Sequence, residues 1–162
     1  MIKHKFVKNN KFEIFGNLGW EEFDGLFITE SDNLIKVYEI LTEDKWIECT
    51  EDHILYIDNK QIKAKDIKIN NKIQTIDGPE NVVKINIKYV KKVYNIVNTK
   101  SHKIFTNGIL NHNCDEFAFV PQSQCLDGDG LIEIQNDLGE IEKITLREFY
   151  NKITDFKENP IK

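Results

Sequence analysis

Cysteine is scarce in this sequence, and long apolar runs are missing. The three cysteines among 162 residues cannot all pair with one another and form no short-spaced framework. Free thiols in a reduced compartment, the cytoplasm, are therefore expected in place of a disulfide scaffold. No stretch approaches the roughly 20 apolar residues of a membrane helix, and the first residues carry no signal-peptide pattern. The Gly-x-x-x-x-Gly-Lys-Ser/Thr loop of a nucleotidase does not occur. Positive charge is outweighed: the net charge of −5 gives no electrostatic case for binding nucleic acid. What is there is ordinary for a soluble globular protein, with 40% hydrophobic and 30% charged residues. The length suits one domain that buries a core.

Most of the chain alternates as strands do. Residues 12–15 and 20–23 flank the turn Gly16-Asn17-Leu18-Gly19, and 34–40 and 45–50 flank the polar turn at 42–44. Residues 54–57 and 61–63 read as a further hairpin. A strand at 72–76 stops at Asp77-Gly78-Pro79, and 82–97 alternates almost throughout. Short strands with turn signals between them predict an all-β body. One helix is expected, over 145–153, with Thr145 as cap and Glu148 as its capping-box partner.

The most informative stretch is Gly108-Ile109-Leu110-Asn111-His112-Asn113-Cys114, followed eleven residues later by Cys125-Leu126-Asp127-Gly128-Asp129. An Asn directly before a Cys can break its own backbone. The Asn113 side-chain amide attacks its own carbonyl, closes a succinimide and expels Cys114, with His112 supplying proton transfer. The Cys114 thiol can accept an acyl group from a thioester. Upstream stand Thr50-Glu51-Asp52-His53 and Ser101-His102. Taken singly, each has a plainer reading: a small buried hydrophobe for Cys125, a satisfied turn histidine for His53. A zinc site of His102, His112, Cys114 and Cys125 fits none of the short-paired spacings of structural zinc. Cys49 falls on the inward phase with Ile47 and is assigned to the core.

Together these pieces resemble an intein, a self-splicing protein of the Hint family, over nearly the whole chain but in unusual order. The intein-like start, Cys125-Leu126-Asp127-Gly128-Asp129, lies after the intein-like end, Val93-Tyr94-Asn95-Ile96 through His112-Asn113. Reading 125–162 and then 1–113 restores family order at mini-intein size, with no room for a homing endonuclease. The resemblance implies a C-terminal intein fragment at 1–113, an extein-like loop at 114–124 and an N-terminal fragment at 125–162. Met1 heading the larger piece suggests a split intein. Asp115-Glu116-Phe117-Ala118-Phe119-Val120-Pro121 is similar to the Walker B region of phage terminase large subunits, and reads as a remnant of the host protein.

The resemblance implies an all-β Hint horseshoe with pseudo-two-fold symmetry and one short helix. It implies single-turnover splicing with neither cofactor nor metal: Cys125 is the first nucleophile and His53 protonates its departing amine. Thr50 helps hold the tetrahedral intermediate, and His102 and His112 assist Asn113. Asn95 stands where the family commonly has Asp, and an amide cannot act as a base. In this order the expected product is the cyclised 114–124 segment. The implied partners are the flanking extein segments and, in the native split form, the complementary fragment; the chain is expected to be a monomer without nucleic-acid or membrane partners. The alternatives are a Hint-type autocleavage domain without ligation and a non-catalytic terminase-derived fragment.

Overall fold

The computed structural model of the protein describes residues 2–113 and 125–158, with side chains up to Thr154. The terminase-like segment, Cys114 and the rest of 114–124 lie outside the described residues. Among the described residues, fifteen strands follow one another in chain order before one helix. The first seven are β1 (Ile2–Lys8), β2 (Glu13–Gly16), β3 (Gly19–Glu22), β4 (Gly25–Leu41), β5 (Trp46–Thr50), β6 (Ile54–Ile57) and β7 (Lys60–Lys63). After a 3₁₀ turn at Ala64–Asp66 come β8 (Lys72–Thr75), β9 (Gly78–Asn81), β10 (Lys84–Val97), β11 (Lys103–Thr106) and β12 (Ile109–His112). The later segment supplies β13 (Leu126–Asp127), β14 (Leu131–Gln135), β15 (Ile141–Thr145) and helix α1 (Leu146–Glu158).

The fold is all-β with one helix, as the alternation predicts. Two long antiparallel strands organise it. β4 and β10 pair from Leu41↔Lys84 to Gly25↔Val97, with a register shift between Val90 and Lys92. Such an irregularity bends both strands and sharpens their twist. The bend lets β4 serve two neighbours on its other edge: its first half pairs with β1 and its second half with β5. The tiny β13 then bridges β10 and β5, so this five-stranded sheet closes upon itself. The second sheet runs β15-β14-β2-β11-β12-β6-β7, with β3, β8 and β9 attached at its sides.

Alternation along β4 feeds two separate cores. Leu26, Ile28 and Ile40 join the larger one, with Ile14, Ile47, Cys49, Leu55, Ile104 and Phe149. Phe27, Ile35 and Val37 join a smaller cluster with Val93, Val97 and Cys125. Cys49 is fully buried in the larger core, as its phase predicts.

Residues 125–158 are woven into both sheets formed by the earlier chain. β13 completes the first, and β14 joins the second through Ile134↔Ile14 and Gln135↔Glu13. The helix starts as expected, since the Thr145 N–H donates to Glu148 Oε1 at 3.0 Å and the Glu148 N–H to Thr145 Oγ1 at 3.1 Å. It runs beyond residue 153 to Glu158. Phe149 anchors it, edge-on to Phe12 and tilted against Phe23.

Two local expectations change. Gly78-Pro79 does not end a strand: the chain reverses at Ile76-Asp77, and Pro79 sits in β9 opposite Gln74. β9 pairs only with β8 among the described residues, and such an edge tolerates proline. Residues 2–8 add a strand that the alternation analysis leaves out; it too is an edge, and its alternating lysines suit that place.

Candidate active site

Cys125 lies just before β13 and is 1% exposed. Its backbone is gripped by Thr50, the last residue of β5. The Cys125 N–H donates to Thr50 Oγ1 at 2.7 Å, while the Cys125 carbonyl accepts from the Thr50 N–H at 2.9 Å and lies 3.2 Å from the Thr50 hydroxyl. Thr50 thus fixes both the peptide nitrogen and the carbonyl of Cys125. On the other flank, β13 pairs Tyr94↔Leu126 and Val93↔Asp127, a register that continues to Asn95 opposite Cys125. Asn95 is 1% exposed. Thr50 and Asn95 therefore bracket the cysteine from the two neighbouring strands.

β13 is only two residues long, and a lysine clamp ties it in. Lys88 Nζ lies 2.9 Å from Asp127 Oδ2 and pairs closely with Glu48, two residues before Thr50. Both carboxylates are nearly inaccessible. Burial raises the Glu48 carboxyl above its usual range, against the opposing pull of the Lys88 ammonium. Two acidic trios could in principle hold a metal, Glu48 with Asp127 and Asp129, and Asp44 with Asp77 and Glu80. Each already surrounds a lysine ammonium, Lys88 or Lys45.

His53 follows Thr50 in a tight turn, its N–H donating to the Thr50 carbonyl at 3.1 Å. The ring is 1% exposed, and its Nε2 lies 2.9 Å from Asn111 Oδ1. Asn111 stands on β12 and points inward with Ile109, both fully buried. Hydrogen bonds therefore run unbroken from Cys125 through Thr50 and His53 to Asn111.

Asn113 lies two residues further along the chain, just past the end of β12, about 7 Å on if the backbone stays extended. It is fully buried: its N–H donates to the His102 carbonyl at 3.0 Å and its Oδ1 accepts from the Thr99 hydroxyl at 2.7 Å. Anchoring Oδ1 on Thr99 sets the amide so that Nδ2, the atom a cyclisation would use, is turned the other way. His102 adopts left-handed φ (59°) at the end of the 98–102 loop. Its ring centroid is 6.5 Å from that of His112. The loop is braced by Glu21, a buried acid whose carboxylate accepts from the Ser101 N–H (2.7 Å), the Ser101 hydroxyl (2.8 Å) and the Leu18 N–H (3.0 Å). The brace needs a glycine at 16, because a Cβ there would sit 2.3 Å from Glu21 Oε2. Past this station runs a cleft of about 750 Å³, lined in part by Asn98, Thr99, Lys100 and His102.

Of the eight residues singled out from sequence, Thr50, His53, Asn95, His102, His112, Asn113 and Cys125 fall within these two linked stations. Cys114 lies outside the described residues. Asn111, Thr99, Glu21 and Lys88 were not singled out. Asn111 and Glu21 carried a signal, since each is a polar residue on the apolar phase of a strand. Nothing comparable marked Thr99, which sits in a loop.

No protein-family profile matches the chain. A DNA polymerase of Thermococcus aggregans is 38% identical over 97 residues, covering 53% of this chain. The chain spans 5% of the length of that curated relative. Several solved structures are similar. A consensus engineered intein (Cat) with an atypical split site has TM-score 0.56 and 23% identity, with 68% of this chain and 90% of that one covered. The VidaL intein has TM-score 0.55 and 18% identity, covering 64% and 71%. The gp41-1 intein has TM-score 0.54 and 18% identity, covering 68% and 99%. At such identities the likeness establishes the fold, and the fold of this chain is that of the inteins.

Proposed function

We propose that the chain is a self-splicing domain of the intein type in permuted order, with 125–162 as the N-terminal fragment, 1–113 as the C-terminal fragment and 114–124 as the segment between them. The observation that carries this reading is the hydrogen-bond run Cys125–Thr50–His53–Asn111, ending two residues short of the buried Asn113. Fold alone would leave the function open, because one fold hosts many activities.

The Cys125 thiolate attacks the Gln124 carbonyl; the 124–125 amide breaks, a thioester forms and the Cys125 nitrogen takes up a proton. Thr50 holds that nitrogen and the Cys125 carbonyl, so the sulfur and the scissile bond keep one mutual orientation. His53 delivers the proton. The Cys114 thiol then takes the acyl group and Cys125 departs as a thiol, freeing 125–162. Asn113 Nδ2 attacks its own carbonyl and expels the Cys114 amine, leaving a succinimide on 1–113, with His102 and His112 moving protons. Finally the Cys114 amine captures the Gln124 acyl group from sulfur and closes an amide ring of residues 114–124. No water enters or leaves, so the three product masses sum to that of the chain.

This chemistry needs neither cofactor nor metal and is single-turnover. It uses the flanking extein-type segments as substrate and suits a monomer in a reducing cytoplasm. In a native split form the two fragments would be each other's partner, and 115–121 would descend from a phage terminase host. No helix among the described residues is long and apolar enough to cross a membrane. The test is Cys125→Ala: ring formation and cleavage at 124–125 should stop while slow cleavage at 113–114 continues. A cyclic peptide still released by this variant refutes the assignment.

A further inference from the structure

We propose that Asn111 is a positioning residue for His53: it fixes the neutral ring with its proton on Nε2 and leaves proton exchange to Nδ1. This inference rests on the splicing reading above.

The orientation of the Asn111 amide is forced by its surroundings. Its Nδ2 lies 3.0 Å from the Ile109 carbonyl, 3.3 Å from the Ile104 carbonyl and 3.0 Å from Thr106 Oγ1. Backbone carbonyls only accept, so the atom facing them must be the NH₂ group. Rotating the amide by half a turn would set its oxygen against two carbonyl oxygens at the same distances, in a fully buried place. The remaining atom, Oδ1, is therefore the one 2.9 Å from His53 Nε2. An amide oxygen also only accepts, so Nε2 must carry a proton in either charge state of the ring. In the neutral ring the lone pair is then on Nδ1, which becomes the atom that gains and loses the proton.

A neutral partner has a second consequence. A carboxylate at this place would favour the imidazolium and raise the midpoint of the ring; an amide orients it without adding charge. Glu51 and Asp52 stand in the same turn as His53, and Lys63 and Lys65 on the segment bonded to it through the Ala64 N–H to the His53 carbonyl and the Lys65 N–H to the Glu51 carbonyl; Cys125, whose backbone Thr50 holds, lies beyond Thr50, and His112, beside Asn111 on β12, has its ring near that of His102. Asp52 is already engaged by Lys65 at 3.2 Å and Lys63 at 3.6 Å. The acceptor on Nε2 itself is uncharged.

The test uses the full chain with Cys125→Ala and Asn113→Ala, which cannot process itself, so it is independent of splicing. Long-range ¹H–¹⁵N correlation spectra, with His53 assigned by its loss in His53→Gln, report the tautomer and the midpoint. The expected result is the Nε2–H tautomer for the neutral ring. Adding Asn111→Leu, which removes the acceptor, should abolish the preference for the Nε2–H tautomer. In the processing-competent chain, Asn111→Leu should slow Cys125-dependent cleavage by at least about tenfold. A neutral ring protonated on Nδ1 in the parent chain overturns the inference, and so does a folded Asn111→Leu chain that keeps the Nε2–H tautomer in full. If Asn111→Leu fails to fold, the tautomer of the parent chain alone decides. Failure of the splicing reading would appear elsewhere, as an absence of cyclic product from the unsubstituted chain.

Discussion

Replacing Thr50 by Val removes one oxygen and almost no volume, so it isolates the grip on Cys125. The Cys125 N–H, 2.7 Å from Thr50 Oγ1 in a site that water hardly reaches, loses its acceptor. The Cys125 carbonyl keeps the Thr50 N–H at 2.9 Å and is not orphaned. One unsatisfied buried donor costs about 1–3 kcal/mol. In a chain held inert by Cys125→Ala and Asn113→Ala, denaturant unfolding should show a loss in that range, because the contact involves only the backbone of residue 125. In an Asn113→Ala chain that keeps Cys125, an added small thiol should trap the proposed thioester and release 125–162. The rate of that release should fall roughly 5- to 150-fold, the same free-energy range expressed in the barrier. Thr50→Ser keeps the oxygen and should recover most of both. Thr50→Val cleaving at the parent rate would refute the reasoning. Thr50→Ser falling as far as Thr50→Val would shift the cause from the hydroxyl to the methyl group.

Lys88→Met strands Glu48 and Asp127 side by side in a buried place, and should cost about 3 kcal/mol at neutral pH. This is the low end for a buried pair, since 35% of the Lys88 side chain is exposed. Because burial already raises the folded-state Glu48 carboxyl above its unfolded value, its protonated form favours the fold. Stability of the variant should therefore recover on acidification and decline as pH rises through the folded-state midpoint, read by denaturant titrations at several pH values. Thr99→Val should slow cleavage at 113–114 by on the order of tenfold and leave thiol-induced cleavage at 124–125 unchanged, followed by mass spectrometry. Equal slowing of both would remove Thr99 from the Asn113 station. Phe149→Ala, which empties the contact with Phe12 and Phe23, should destabilise the chain by about 3–5 kcal/mol in denaturant unfolding.

Strands whose faces differ in burial were readable because alternation records that difference. The pairs 34–40 with 45–50 and 54–57 with 61–63 correspond to β4–β5 and β6–β7. The Thr145–Glu148 capping box was legible because it is local. What sequence could not convey is long-range pairing. That β13, two residues long, sits between β10 and β5 and sets Thr50 against Cys125 depends on contacts 75 positions apart. The continuation of β4 through residues 31–33 was likewise hidden, because Ser31-Asp32-Asn33 looks like a turn and becomes strand only through its neighbours. Cys125, Thr50, His53 and Asn113 could be singled out because their residue types carry chemistry. Thr99 became visible only once the strands were adjacent, and so did the partners of Asn111 and Glu21, whose place on an apolar strand phase does not say what they hold.

The central claim is that one chain cuts itself twice and joins the ends of its own inner segment. Intact-mass analysis of freshly made protein, kept reduced and followed over time, tests it most directly. The account predicts three species in equal amounts: 1–113 bearing a C-terminal succinimide, 125–162 with a free amino-terminal cysteine, and 114–124 at a mass one water below that of its linear peptide. A chain that stays intact, or one that releases 114–124 only as the linear peptide, would contradict it.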